Sequence, residues 1–360
     1  MNTRHRVRRA RSLVISWSGD SLVFCNYLTL SSATAEPETV RILHLLEKWT
    51  KLSDLLRLLP EYTPSSIRAS VRELHENSLI VTEGSHEAKR DAELASIWSD
   101  WLPYGSFHFA TRDIEFLKPS ESARLFDHYL AESRQPALVK KYPRTPSIQL
   151  PKEKTPDSEF ARVLFARKTH REYSRQRIPL RLISRLLYYT WGVTGWIDAP
   201  PFGKLFHKTS PSGGARHPGE VYLLALRVGG LPPGVYHYDG LHHRLSRLQA
   251  LPAKRKIIEC VADQDFLQDA SAIFIMTAVF PRVLWKYRFT RAYRIVLLDA
   301  GHLCQTFCLV ATWLGLAPFC TAAFRDSLLE KELGVDGIRE SALYIAGVGT
   351  PVTERLRINR

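Results

Sequence analysis

KTSPSGGARHPGEVYLLAL, residues Lys208 to Leu226, decides how the rest of the chain is read. It sets serines, glycines, an arginine and a histidine directly against the apolar run Val221 to Leu226, which reads as a buried strand. Polar, conformationally permissive residues beside such a strand mark a place where the backbone comes close to a partner. Ser210, Ser212, Gly213 and Gly214 offer hydroxyls and unshielded amides that suit the heteroatom edge of a flat ring lying on the strand. An ordinary glycine turn satisfies the stretch taken alone. The pattern is neither G-x-G-x-x-G nor a P-loop, so a Rossmann dinucleotide site is unsupported.

Outward from this stretch the pattern alternates between helices and strands. Upstream, ARVLFARKTHREY reads as a helix running into a polar turn. PLRLISRLLYYTWGVTG reads as an amphipathic helix with Leu182, Leu186 and Tyr189 on one stripe. Downstream, GVYHYDG, SAIFIMTAVF and ALYIAGVGTP read as strands, and RAYRIVLLDAGHLCQTFCLVATWLGL as a long apolar helix stopping near Gly315. The fold class expected is α+β, with a long apolar helix of the kind found at a dimer core. Arg167, Lys168 and Arg171 surround Thr169, and such a cluster at a helix end suits a phosphate or another anion, with a solvated charged face as the alternative. His217 and Glu220 lie beside core elements, and His302 reads as a core histidine with no assigned reaction.

The first part of the chain reads differently. The basic MNTRHRVRRAR leads into a hairpin over Leu13 to Ser18 and Leu22 to Leu28, followed by three short helices and the strand-like LIVTE. Thr63 before Pro64 is an N-cap with proline in the first turn, and Ile67, Val71 and Leu74 face one way. This is a winged-helix shape. Net charge is +14, but residues 1–120 hold 15 basic and 15 acidic residues, so the excess lies in residues 121–360. Without a basic excess on its second helix, the module reads as a peptide-binding or structural unit, and no nucleic-acid partner is expected. Residues 131–160 carry five prolines and read as a linker, whereas WSDWLPYGSFHFATRD reads as packed. The expected units are 1–90, a connecting segment 91–158, and 159–360. No run of eighteen apolar residues and no signal peptide is present, so no membrane span is expected. Five sparse cysteines suit a reduced, cytoplasmic protein. Cys304 and Cys308 read as buried small side chains, and no metal is expected.

ARKTHREY, SPSGGARHPGEVYLL, WKYRFTRAYRIVLLDAGHLCQ with LGLAPF, and LGVDGIRESALYIAGVGTP together resemble the FMN-dependent nitroreductase superfamily. The narrower resemblance, over about Phe160 to Arg355, is to its SagB-type branch, the azoline dehydrogenases of thiazole and oxazole peptide maturation. That resemblance implies a nitroreductase-like domain with a central mixed sheet flanked by helices, an entwined homodimer and FMN at the subunit interface. It implies that Arg167, Lys168, Thr169 and Arg171 hold the phosphate and ring edge, threonine standing for the usual serine. Ser210, Pro211, Ser212, Gly213 and Gly214 would reach the flavin from the other subunit, Thr321, Ala322 and Ala323 would pass over the ring, and Arg355 is a further phosphate ligand. Lys286 and Tyr287 match the branch's Lys-Tyr pair, which cooperates only where the backbone is irregular. The implied partners are a modified peptide, a cyclodehydratase and other maturation proteins. Two other functions fit less of the pattern: an NAD(P)H-dependent nitro or quinone reductase, and a non-catalytic peptide-binding subunit.

Overall fold

The structure, a computed structural model, describes residues 5–102, 105–117, 119–133, 137–138, 148–151 and 158–352. Arg355 and most of the proline-rich stretch lie outside them. The N-terminal part runs β1 (Arg6–Arg9), β2 (Leu13–Ser18), β3 (Ser21–Asn26), β4 (Ser31–Thr34), α1 (Glu38–Leu45), β5 (Thr50–Lys51), α2 (Leu52–Leu58), α3 (Pro64–Glu76), β6 (Ile80–Thr82) and α4 (His86–Ile97). It continues through α5 (Gly105–Ala110) and α6 (Pro119–Glu132). The C-terminal part runs α7 (Glu159–Ala166), β7 (Tyr173–Ser174), β8 (Ile178–Pro179), α8 (Leu180–Trp191), β9 (Gly195–Asp198), β10 (Lys204–His207), β11 (Gly219–Ala225), β12 (Val228–Gly229), β13 (Gly234–Asp239) and β14 (Arg244–Ala250). Then come α9 (Lys254–Cys260), β15 (Ala272–Val279), α10 (Phe280–Leu284), α11 (Tyr293–Trp313), β16 (Ala317–Thr321), α12 (Asp326–Leu333) and β17 (Glu340–Pro351).

The central sheet has strand order β14-β13-β11-β15-β17-β16, with β7 on the end of β17. The sheet expected to be mixed is antiparallel at every pairing, and the parallel pair β8/β12 lies outside it. Short reversals join β11, β13 and β14, which only antiparallel neighbours allow. Both faces are covered, which is why β11 and β15 read as continuous apolar runs. Val221, Leu223, Phe274 and Met276 meet α8 and α11, while Leu224, Ile273 and Ile275 meet α9 and α12. Each such side chain contributes about 1.5–3 kcal/mol by leaving water.

α8 turns its Ile183, Leu186, Leu187 and Trp191 inward, so the buried stripe sits to one side of the expected one and Tyr189 is exposed. Tyrosine's polar tip lets it sit at the edge of an apolar face. α11 is long and apolar enough by length and composition to cross a membrane, yet Cys304, Phe307, Cys308 and Ala311 pack against the sheet and Asp299, on another side of the helix, is buried as well.

The small N-terminal core gathers Leu43, Leu46, Leu55, Ile67, Val71 and Leu74, and Thr63 Oγ1 accepts the Ser66 amide at 3.2 Å. The arginine-rich lead-in is itself a strand. β1 is the middle of a sheet ordered β5-β1-β6, with Val7 and Arg8 both buried. Arg8 Nη2 donates to Asp91 Oδ2 at 2.6 Å, and the Arg11 and Ser12 amides donate to Asp91 Oδ1. Asp91 sits in α4, so the expected boundary at residue 90 falls inside a helix. Beyond α4, Trp98, Trp101 and Phe109 bury themselves against Phe280, Val283, Ala292 and Ile338, joining the two parts through one aromatic core. Trp98 Nε1 donates to the Ile338 carbonyl at 2.9 Å.

Candidate functional site

The Ser210–Gly214 loop closes onto α11. Ser212 Oγ donates to Asp299 Oδ2 at 2.5 Å, the Gly213 amide donates to Asp299 Oδ1 at 3.3 Å, and buried Ser210 is hydrogen-bonded to Thr306 Oγ1 at 2.7 Å. The Pro211 carbonyl lies 3.3 Å from His302 Nδ1, and His302 is exposed rather than in the core. Burial pushes the Asp299 carboxyl above its ordinary range, although both loop donors favour its ionised form. The glycines are required by space: a Cβ at Gly213 would overlap Ile295, and one at Gly219 would lie 2.6 Å from Leu303. Within one chain, then, the partner that the backbone approaches so closely is α11.

Gly214 has φ +61° and looks the other way. A Cβ there would overlap Tyr287 Oη and lie 2.8 Å from Lys286 Nζ. Neighbouring residues can converge like this because α10 ends at Leu284, leaving Lys286 in a turn and Tyr287 in irregular chain just after it. Lys286 Nζ lies 4.5 Å from the Phe202 ring centre and 5.4 Å from that of Tyr287. The Trp101 indole N–H reaches the Tyr287 carbonyl at 3.4 Å, so the aromatic segment before residue 113 also holds this turn.

The arginine motif occupies a second place. Arg167 caps α7, and the His170 amide donates to the Pro318 carbonyl at 2.9 Å, fixing the turn to β16. The Arg171 guanidinium lies 5.8 Å from the centre of the Phe319 ring. Thr321 to Ala323 follow β16 directly, with Thr321 Oγ1 accepting the Ala323 amide at 2.9 Å. Asp299 and Thr306 lie on one face of α11, whereas Cys304 and Cys308, which face β16 and Arg167, lie roughly 140–180° round the helix. The expected site residues therefore fall into two groups on different sides of α11, candidate half-sites of one site. Arg167, Thr169, Arg171 and Thr321 to Ala323 make one, and Ser210 to Gly214 with Lys286 and Tyr287 make the other.

A cavity of about 430 Å³ adjoins the second half-site, between the β9–β10 hairpin and strands β11 and β13. Trp196 and Phe206 form an aromatic wall, and Lys208, Arg216 and Arg282 bring positive charge. Glu220 accepts from Arg282 at 2.5 Å and is 2.8 Å from His237 Nε2. Burial would raise the Glu220 carboxyl, but the hydrogen bond to His237 and the Arg282 charge outweigh this and hold it below its ordinary range. Burial, then Lys208, pushes His217 down to about 4, so it is neutral at pH 7, and burial also lowers Lys208. His217 and Glu220 stood unassigned in the sequence. The alternating residues of GWID and KLFH were the available signal for this hairpin.

Residues 164–350 match the nitroreductase family, 187 of the chain's 360 residues. The trifolitoxin-processing protein TfxB of Rhizobium leguminosarum bv. trifolii is 26% identical over 313 residues, covering 81% of this chain and 82% of TfxB. The microcin B17-processing protein McbC of Escherichia coli is 27% identical over 194 residues, covering 49% of this chain and 68% of McbC. Among solved structures, the E. coli microcin synthetase McbBCD complex with truncated pro-MccB17 bound aligns at a TM-score of 0.47 and 20% identity, over 82% of this chain and 97% of the matched chain.

Proposed function

The chain belongs to the nitroreductase family, and from that premise we propose that it is an FMN-dependent dehydrogenase oxidising azoline rings, or a related C–N bond, in a modified peptide. The observation that carries this reading is the convergence of Lys286 Nζ and Tyr287 Oη on Gly214. Relatives named for processing trifolitoxin and microcin B17 support a peptide substrate and maturation partners; a cyclodehydratase is the partner proposed.

The donor set fits FMN. Arg167 and Arg171 supply guanidinium groups at one turn for a phosphate, and Thr169 adds a hydroxyl. The Gly213–Gly214 backbone is bare where a side chain would fill the approach to Lys286 and Tyr287. The two half-sites lie on different sides of α11, so one flavin is completed by two copies of the chain. Leu297 and Leu298, in the first two turns of α11, are 42% and 61% exposed, which suits a homodimer. When bound, FMN supplies the two-electron acceptor for a hydride leaving the substrate ring.

The chain's own residues supply the rest. Lys286 takes the proton from the ring carbon, and Tyr287, held through its carbonyl by Trp101, orients the amine and the ring. The substrate thus loses one proton and one hydride. The neighbouring cavity, with its aromatic wall and cationic rim, takes the flanking peptide. In the N-terminal part β6 is an edge strand beside a cavity of about 290 Å³ lined by His75, Thr82 and Arg90, where an extended peptide adds a strand.

The test begins with the visible spectrum and the chromophore released on denaturation, then an azoline peptide followed by mass. FMN release, loss of two mass units per ring and a Lys286→Ala variant that keeps FMN but loses turnover are expected. A colourless protein that FMN does not reconstitute, or full turnover in Lys286→Ala, overturns the reading. Rapid bleaching by NADPH with turnover of nitroaromatics alone replaces it with a nitro or quinone reductase.

A further inference from the structure

Cys304 and Cys308 are four residues apart on α11 and point the same way, as helical spacing requires. The sequence offered no third ligand nearby. The fold supplies one: Cys320 of β16 crosses to them, and the three sulfurs all lie within 4.8 Å of one another. Tyr344 Oη of β17 donates toward Cys320 Sγ at 3.6 Å. All five cysteines are free thiols.

Three sulfurs around a thiophilic cation with bonds of about 2.3 Å stand roughly 3.8 Å apart. The trio therefore needs to close by at most about 1 Å per pair. Two ligands one helical turn apart and a third from a neighbouring strand is an arrangement that metal sites reuse, because the helix fixes two donors at once. Charge favours it as well. The Arg167 guanidinium acts on Cys308 and Cys320 as a nearby positive charge. Three thiolates around a divalent ion leave one negative charge, and Arg167 stands where it is balanced. Among the described residues no fourth Cys, His, Asp or Glu joins the group, leaving a coordination position open toward Tyr344.

We propose that Cys304, Cys308 and Cys320 form a three-thiolate site for one soft d10 cation, zinc(II) or copper(I). Its three ligands take no part in the flavin reading, with which it shares only Arg167, and its readouts are thiols and metal rather than turnover.

The full chain, reduced and stripped of metal, is titrated with zinc(II), with copper(I) against a competing chelator, and with cobalt(II) as a spectroscopic probe. Expected are one equivalent bound, protection of Cys304, Cys308 and Cys320 but not Cys25 and Cys260 from alkylation, and sulfur-to-cobalt charge-transfer bands. Cys308→Ser and Cys320→Ser each lose binding at least tenfold, while Cys25→Ser keeps it. Protection by copper(I) alone assigns that ion. Equal alkylation of all five thiols with and without every metal overturns the proposal, as does a metal that survives both variants. The alkylation map on the native sequence decides the matter even if a variant does not fold.

Discussion

His108 shows how far a single side chain can be taken from its ordinary chemistry. It is buried, stacked on Trp98 at 5.3 Å, with Nδ1 2.9 Å from Tyr293 Oη. Burial first, and the Arg112 charge second, push it down to about 3. Unfolded, it titrates near 6.5. The folded state holds it neutral, so its contribution to stability is complete above about pH 6.5 and is lost as pH falls toward 3, because the unfolded chain takes up the proton. The slope reaches roughly 1.4 kcal/mol per pH unit. Urea midpoints at pH 7 and 5 should fall more steeply for the native sequence than for His108→Gln. Parallel losses would remove His108 from the account.

At the scale of the element, α11 does three things with three faces. One face holds the Ser210–Gly214 loop, one packs on the sheet with its cysteines, and one presents Leu298 outward. Leu298→Glu places a charge on that outer face, and under the dimer reading it should give a folded monomer that loses FMN on gel filtration. A variant of native size that keeps its flavin would place the subunit contact elsewhere. Much of the helix was legible, including its end near Gly315, because hydrophobic content and a left-handed glycine are local signals. The cap at Thr63 and the inward face of α3 were legible for the same reason. β1 was not. RVRR carries no alternating apolar pattern, and Arg8 is inside only because Asp91, 83 residues away, meets it. The site divides likewise: the motifs were visible in sequence, but the convergence on Gly214 depends on where α10 stops, and the third cysteine arrives from another strand.

At the scale of the molecule, the aromatic core around Trp98 fuses the two parts. Trp98, Trp101, Phe109 and Phe280 are fully or almost fully buried there. Trp98→Ala should cost about 3–5 kcal/mol through the cavity it leaves and the lost bond to the Ile338 carbonyl. Calorimetry should then resolve two transitions where the native sequence shows one. A single transition in the variant would mean that the parts are coupled by other contacts.

The placement of β1 at the centre of its sheet also sets an order of events during synthesis. Residues 6–9 leave the ribosome before their partners, residues 50–51 and 80–82. At about 5–20 residues per second, the first strand waits several seconds for the last of them. Through that interval four residues bearing three arginines stay solvated by their own charge. The arginine that later finds Asp91 is, until then, what keeps the nascent strand from pairing with a neighbouring chain.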